Sequence, residues 1–260
     1  MATFLFNEII FGPVNSRRLG ESLGINLLPV NSKYCNFNCL YCECGFTPKA
    51  YGKNKKELPT REEVHTTLKN TLAGFREKKY TIDTITFAGN GEPTMHPDFP
   101  NIVDDTIVLR NMYFPDTKIA VLSNATRIAR PEIISALSKV EYNILKLDSV
   151  NEETVKLINC PMNNFSLRDL LGNLKKIRNG LTIQTLFVRG EYRGKRFDNS
   201  TEEEVGNWLN YLLVLQPELV MIYTITRDTP VDSIQKIPPG RLHEIALQVQ
   251  ERGIQVSVSG

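Results

Sequence analysis

The sequence predicts an α/β protein built on a parallel barrel, complete or partial. Three observations carry that expectation. Six short runs rich in Ile, Val, Leu and Thr are bounded by Gly, Pro, Asn or Asp, which is how strands punctuate a chain. Their apolar residues do not alternate strictly with polar ones, as suits parallel strands covered on both faces. Segments with apolar residues at helical spacing lie between them, so strand-helix units recur along the 260 residues.

The expected strands are Leu23–Leu28, Thr84–Ala88, Lys118–Ser123, Asn143–Leu147, Leu181–Val188 and Leu219–Thr224, with a last strand at Ile254–Val258. Thr60-Arg-Glu-Glu63 has the form of a capping box and opens a helix to about Lys79. Pro131 starts another helix, proline being tolerated in a first turn. Ser166–Arg178 carries Leu167, Leu170, Leu171, Leu174 and Ile177 at helical spacing and stops at Asn179-Gly180. Thr201-Glu-Glu-Glu204 opens a helix with Trp208, Leu209, Leu212 and Leu213 on its apolar face, and Pro239–Arg252 closes the series at Gly253. The whole chain, residues 1–260, is expected to form one domain, with residues 1–22 as an extension and residues 23–260 as the barrel.

Composition excludes little and is ordinary for a globular chain: 41% hydrophobic and 23% charged. A formal net charge of +2 does not announce nucleic-acid binding. The first residues lack a basic region followed by a long apolar run, so no signal peptide is expected. No run of 18 apolar residues occurs, so no membrane span and no membrane partner are expected. A cytoplasmic protein fits these features.

Four of the five cysteines fall in ten residues: Cys35, Cys39, Cys42 and Cys44. The first three have the spacing C-x3-C-x2-C. Seven extended peptide steps reach roughly 24 Å, so the loop can curl around a cluster. Three thiolates can each hold one iron of a 4Fe–4S cubane, which leaves the fourth iron without a protein ligand. Most such clusters are closed by four cysteines, and an open metal position is where chemistry takes place. A structural zinc site would need a second pair of ligands. Only Cys160 and the scattered His65, His96 and His243 remain to supply one. Cys44 is expected to be a spare thiol beside the cluster, and Cys160 a small buried or half-buried residue.

These residues resemble the radical S-adenosylmethionine (SAM) superfamily, whose defining motif is the C-x3-C-x2-C of Cys35, Cys39 and Cys42. Tyr41 resembles the aromatic found before the last cysteine in many members. Phe87-Ala-Gly-Asn-Gly-Glu-Pro93 resembles the superfamily's Gly-Gly-Glu-Pro motif, which implies that Gly89, Gly91 and Glu92 hold the amino group of the cofactor's methionine part. Phe11–Gly20 and Ser22–Pro29 resemble a branch of oxidoreductases related to wybutosine-synthesis enzymes of tRNA, although no cysteine precedes Cys35 to hold a second cluster. The resemblance implies a partial (β/α)6 barrel of the TIM type, with a 4Fe–4S cluster and SAM as cofactors. It implies one-electron cleavage of SAM to a 5′-deoxyadenosyl radical that abstracts hydrogen from a substrate. An electron donor such as flavodoxin or ferredoxin is the implied partner.

Other candidates stand at expected strand ends. Tyr41 is expected on adenine or in the core. Asn124 is either a ribose contact or a routine turn residue. Lys146 and Asp148 share a face at period two, and line the barrel mouth, with Asp148 touching the cofactor, or form a structural ion pair. Gln184, Tyr223 and Arg227 are weaker candidates, and no catalytic side chain is singled out. Two basic runs, Lys53–Lys56 and Arg189–Arg196, are expected to be loops on the active face, with Arg17 and Arg18 nearby. A basic rim attracts anions, so the expected substrate is anionic, an RNA (a tRNA nucleoside) or a phosphorylated metabolite. Two other functions compete: an activase for a glycyl-radical enzyme, and a non-enzymatic iron–sulfur electron-transfer module with Cys44 as a fourth ligand.

Overall fold

The computed structural model describes residues 4–16, 18–48, 58–162, 164–177 and 179–259. The basic run Lys53–Lys56, Arg17 and Arg178 lie outside the described residues. The chain divides into two compact units. The N-terminal unit holds Leu5–Cys35 and Thr47–Asn143; the C-terminal unit holds Met1–Phe4, Asn36–Phe46 and Ile144–Gly260. Cys35 therefore belongs to the former, and Cys39, Cys42 and Cys44 to the latter.

The N-terminal unit begins with β1 (Ile10–Ser16), antiparallel to β2 (Gly20–Ile25). The expected strand Leu23–Leu28 thus starts three residues earlier and ends at Ile25. β1 itself lies in the expected extension and had no strand signal. It is mostly exposed, and its register shifts between Phe11 and Val14, around Pro13. A proline is tolerated in a strand only at such an edge or bulge. Phe11 lies against Gly24, where any Cβ would clash with its ring, and stacks on Phe6 at 3.6 Å.

After α1 (Arg61–Glu77) come β3 (Thr84–Phe87), a 3-10 turn (Pro93–Met95), α2 (Phe99–Tyr113), β4 (Lys118–Ser123) and α3 (Pro131–Leu137). β2, β3 and β4 run parallel, with Ile25 beside Phe87 and Phe87 beside Val121. The capping box of α1 forms in full: Thr60 caps the Glu63 amide and Glu63 reaches back to the Thr60 amide. Val64, Leu68 and Leu72 form its buried face. No helix was expected over α2. Its apolar residues spread around the axis, with Val108 and Met112 exposed, so helical periodicity is weak there.

In the C-terminal unit, β5 (Tyr142–Lys146) is followed by α4 (Glu152–Ile158), α5 (Leu167–Leu174), β6 (Leu181–Leu186), β7 (Val188–Tyr192) and β8 (Lys195–Asp198). Then come α6 (Glu202–Leu215), β9 (Leu219–Tyr223), β10 (Ile234–Lys236), α7 (Pro239–Gln250) and β11 (Val256–Ser259). Strand order is β5-β6-β9-β11, with β6, β9 and β11 parallel. Three expectations change here. The run Leu181–Val188 splits at Phe187, whose amide donates to Tyr223. The basic run Arg189–Arg196 is not a loop: it forms the β7–β8 hairpin of a small antiparallel sheet with β10. Leu213 of α6 is exposed, while Trp208, Leu209 and Leu212 are buried, because Leu213 falls outside the face that turns inward. α4 escaped notice because seven residues show barely two helical turns of pattern.

Candidate functional site

Each unit builds one cluster of polar residues around a cysteine. In the N-terminal unit the motif after β3 is laid against the start of the cysteine loop. The Tyr34 amide donates to the Asn90 carbonyl at 2.7 Å, and the Glu92 amide donates to the Tyr34 carbonyl at 3.0 Å. This close approach requires Gly91, which has a φ of +145° and whose Cβ would run into the Tyr34 carbonyl. Gly89 is required in the same way beside Asn26. These two glycines, expected to admit a ligand, admit parts of the chain itself, Gly91 the Tyr34 backbone and Gly89 the Asn26 side chain, and so fix Glu92 against Tyr34, the residue before Cys35. Asn26 and Asn90 complete the scaffold: Asn26 Oδ1 accepts from the Leu28 and Asn90 backbone amides, and the Asn90 side chain bonds Phe6 and Pro29.

Glu92 is 1% exposed and N-caps the 3-10 turn. Its Oε1 accepts from the Thr94 amide (3.1 Å), the Thr94 hydroxyl (2.5 Å) and the Ser123 hydroxyl (2.7 Å). Among the described residues its Oε2 accepts only from the Asn124 amide, at 2.6 Å. A carboxylate offers about four acceptor positions, so Oε2 keeps capacity for one more donor. Burial raises the Glu92 carboxyl above the usual range; Thr94, Asn124 and Ser123 hold it down. Asn124, at the end of β4, accepts from the Thr126 amide and hydroxyl through Oδ1, and its Nδ2 lies 3.6 Å from Cys35 Sγ. Thr94 and Ser123 had no motif to mark them; short hydroxyls at strand and helix ends are too common to single out.

In the C-terminal unit the cysteine loop is laced to the end of α4. The Leu40 amide donates to Ile158, the Asn38 amide to Cys160 and the Met162 amide to Asn36, and Phe37 bridges Pro161. Cys42 and Gly45 then turn back onto the carbonyls of Cys39 and Cys42. Cys39 is buried, while Cys42, Cys44 and Cys160 are half-buried, and none of the five cysteines is in a disulfide. Tyr41 is buried and donates its hydroxyl to Asp148. Asp148 also accepts from Asn159 Nδ2 at 2.6 Å and from the Leu186 amide at 2.9 Å. Lys146 Nζ lies 3.8 Å from Asp148 and 4.9 Å above the Tyr41 ring. Burial and the Asp148 carboxylate push the Tyr41 phenol well above its ordinary range. Burial pulls the Lys146 ammonium down, but Asp148 and Tyr223 outweigh it and raise its pKa. Tyr41 and Asp148, both expected to touch the cofactor, therefore bond each other. Sequence analysis missed Asn159, a single asparagine closing α4 with no motif around it.

Among the described residues no three His, Cys, Asp or Glu side chains gather around a point fit for a single metal ion. A cubane does not need them to, since each of its irons takes its own thiolate. Among the weaker candidates, Arg227 pairs with Glu43 at 2.6 Å and Tyr223 bonds Lys146 at 3.4 Å. Among the described residues no helix is long and apolar enough to cross a membrane.

Residues 32–196 match the Radical SAM superfamily, more than half of the chain. The chain is 30% identical over 224 residues to a protein of Brachyspira hyodysenteriae named GTPase Obg, covering 85% of this chain and 30% of that one. It is 29% identical over 222 residues to the UPF0026 protein MJ1312 of Methanocaldococcus jannaschii, covering 84% and 64%. The chain thus spans less than two thirds of the length of these relatives. A solved radical SAM methyltransferase from Sphaerobacter thermophilus resembles it with a TM-score of 0.66 at 15% identity, over 92% of this chain and 65% of that one. An archaeal TYW1 does so with a TM-score of 0.51 at 14% identity, over 88% and 71%. At such identities the likeness shows the fold alone, and that fold is the partial α/β barrel class expected from the sequence.

Proposed function

The chain belongs to the radical SAM superfamily, and from that premise we propose that Cys35, Cys39 and Cys42 hold its cluster and that Glu92 receives the methionine ammonium of its cofactor. The superfamily's cofactors are a 4Fe–4S cluster and SAM. When bound, they supply one-electron cleavage of a sulfonium and a carbon radical able to abstract hydrogen. The single observation carrying this reading is the Glu92 carboxylate. It is buried, it is held by four donors, and one of its oxygens is still able to accept. An ammonium supplies that missing donor and offsets the cost of burying the charge.

The residues fit these groups. The three motif cysteines are not in disulfides, as cluster ligands must not be, and two of them are buried. Gly89 and Gly91 hold Glu92 against the Tyr34 backbone. Asn124 fixes Glu92 through its amide while keeping its own side chain toward Cys35. Tyr41 and Asp148, bonded to each other, are proposed to serve the site by supporting the loop that carries Cys39. Cys44 stays outside the ligand set.

The substrate proposed is anionic. Arg189 and Arg196 line a cavity of about 550 Å³ with Glu191, Phe197, Asp198 and Ser233, and Arg193 and Lys195 stand on the same hairpin. Guanidinium groups suit bidentate phosphate contact, so a nucleoside within RNA is the substrate class we favour. A flavodoxin or ferredoxin is the proposed electron donor, and the cytoplasm, which keeps thiols reduced, the proposed location. The chain is proposed to work as a single radical SAM domain.

The test is anaerobic reconstitution of the full chain, followed by dithionite and SAM. Formation of 5′-deoxyadenosine and methionine is expected. A complete cluster that never cleaves SAM with any low-potential reductant would refute the proposal. For the substrate, a deletion strain is expected to show an altered tRNA nucleoside profile; an unchanged profile removes the RNA version.

A further inference from the structure

We propose that Asn159 is a positioning residue for the cluster: its side-chain amide donates an N–H···S hydrogen bond to Cys39 and thereby raises the cluster's reduction potential. This rests on the assignment of Cys39 as a cluster ligand. Asn159 Nδ2 lies 3.4 Å from Cys39 Sγ, 3.1 Å from Tyr41 Oη and 2.6 Å from Asp148 Oδ2. The residue is 2% exposed. The orientation of its amide is set by chemistry. A carboxylate only accepts, so the nitrogen and not the oxygen faces Asp148. The same nitrogen then faces the sulfur. Tyr41 gives its own proton to Asp148, which leaves the phenol oxygen to accept from Asn159. One amide hydrogen goes to Asp148, and the other lies between Tyr41 and Cys39.

The position is held by the backbone on both sides. Leu40 donates to Ile158, just before Asn159, and Asn38 donates to Cys160, just after it. The amide is therefore presented to Cys39 by the same lacing that shapes the loop. Reduction adds negative charge to a cluster and its thiolates, and a donor aimed at a ligand sulfur stabilises that charge. Hydrogen bonds to the sulfurs are a recognised setting of cluster potentials, and outer-shell partners orient the ligands they touch.

The experiment is an EPR-monitored redox titration of the reconstituted full chain, comparing wild type, Asn159→Leu and Tyr41→Phe, with iron and sulfide content measured alongside. Asn159→Leu is expected to keep its four irons and to hold about tenfold less reduced cluster at a fixed poise, equivalent to 59 mV for one electron. Tyr41→Phe leaves the amide on the sulfur and is expected to titrate near wild type. An Asn159→Leu cluster of full iron content and unchanged potential overturns the proposal. Because that substitution also strips a donor from buried Asp148, it can prevent folding. Protein carrying 15N at the asparagine side-chain amide then decides, with Asn124→Ala so labelled to remove the amide beside Cys35: pulsed EPR of its reduced cluster should show a weak side-chain 15N coupling, and its absence overturns the proposal. A wild type that assembles no 4Fe–4S cluster refutes instead the cysteine assignment beneath it.

Discussion

Glu92 in the N-terminal unit and Asp148 in the C-terminal unit are buried carboxylates of opposite design. Glu92 is surrounded by hydroxyls and backbone amides, all neutral. Asp148 has a phenol, an amide and a backbone N–H, and also a lysine 3.8 Å away. The charge on Asp148 is balanced from within the chain, whereas Glu92 has no cationic side chain among the described residues to pair with. A buried anion with a built-in partner is part of the scaffold, and one without is a place for a ligand. Yet both sit beside an asparagine whose amide approaches a motif cysteine, Asn124 toward Cys35 and Asn159 toward Cys39.

The largest effect tests the cysteines in both units. Cys35→Ser and Cys39→Ser are each expected to abolish the 4Fe–4S signal and 5′-deoxyadenosine formation, while Cys44→Ser keeps full iron content and turnover. Iron loss in Cys44→Ser would mean that the open corner has been misassigned. Next comes Asp148→Asn, which strands Lys146 and is expected to lower unfolding free energy by about 3 kcal/mol, measured by urea titration, with SAM affinity of the surviving fold nearly unchanged. Glu92→Gln should behave in the opposite way. Losing a charged hydrogen bond costs about 1.5–3 kcal/mol, so SAM should bind about 10- to 100-fold more weakly by calorimetry. If Asp148→Asn weakens SAM binding as much as Glu92→Gln does, the contrast between the two carboxylates is broken.

Smaller effects compare the two threonine caps. Thr60 makes a reciprocal box with Glu63, while Thr201 only receives the Glu204 amide. Thr60→Ala is expected to cost about 1 kcal/mol and Thr201→Ala no more than that, both measured by thermal melts. Last is a pH effect confined to the N-terminal unit. Burial lowers the His96 pKa below 6.5, against the pull of the Pro59 carbonyl. A depressed histidine contributes stability that is present above the unfolded pKa and lost as pH falls below it. The unfolding midpoint should therefore drop from pH 7.5 to 5.5, and by less in His96→Gln.

Where local chemistry is sufficient, the elements were legible. The Thr60 box, Pro131 at a helix start and the Leu167–Leu174 helix all depend on residues within a turn of one another. β1, α2 and the β7–β8 hairpin were not legible. β1 is an exposed edge strand that carries a proline, α2 spreads its apolar residues around the axis, and a run of arginines in a hairpin has the composition of a loop. The motif cysteines and Glu92 stood out because residue type and spacing carry them. Asn159 and Ser123 did not, since each is an unremarkable polar residue until the fold brings it to its partner.

Residue order alone determined the superfamily, the cofactors that go with it and the parallel α/β class, because spacing of thiols and repetition of strand and helix patterns are one-dimensional properties. Only the tertiary structure decided that Gly91 exists to pass the Tyr34 backbone, that Tyr41 and Asp148 satisfy each other, and that an asparagine 120 positions away faces Cys39. Hydrogen bonds in a buried site are made between groups remote in sequence, and nothing in the local chemistry of either partner announces the other.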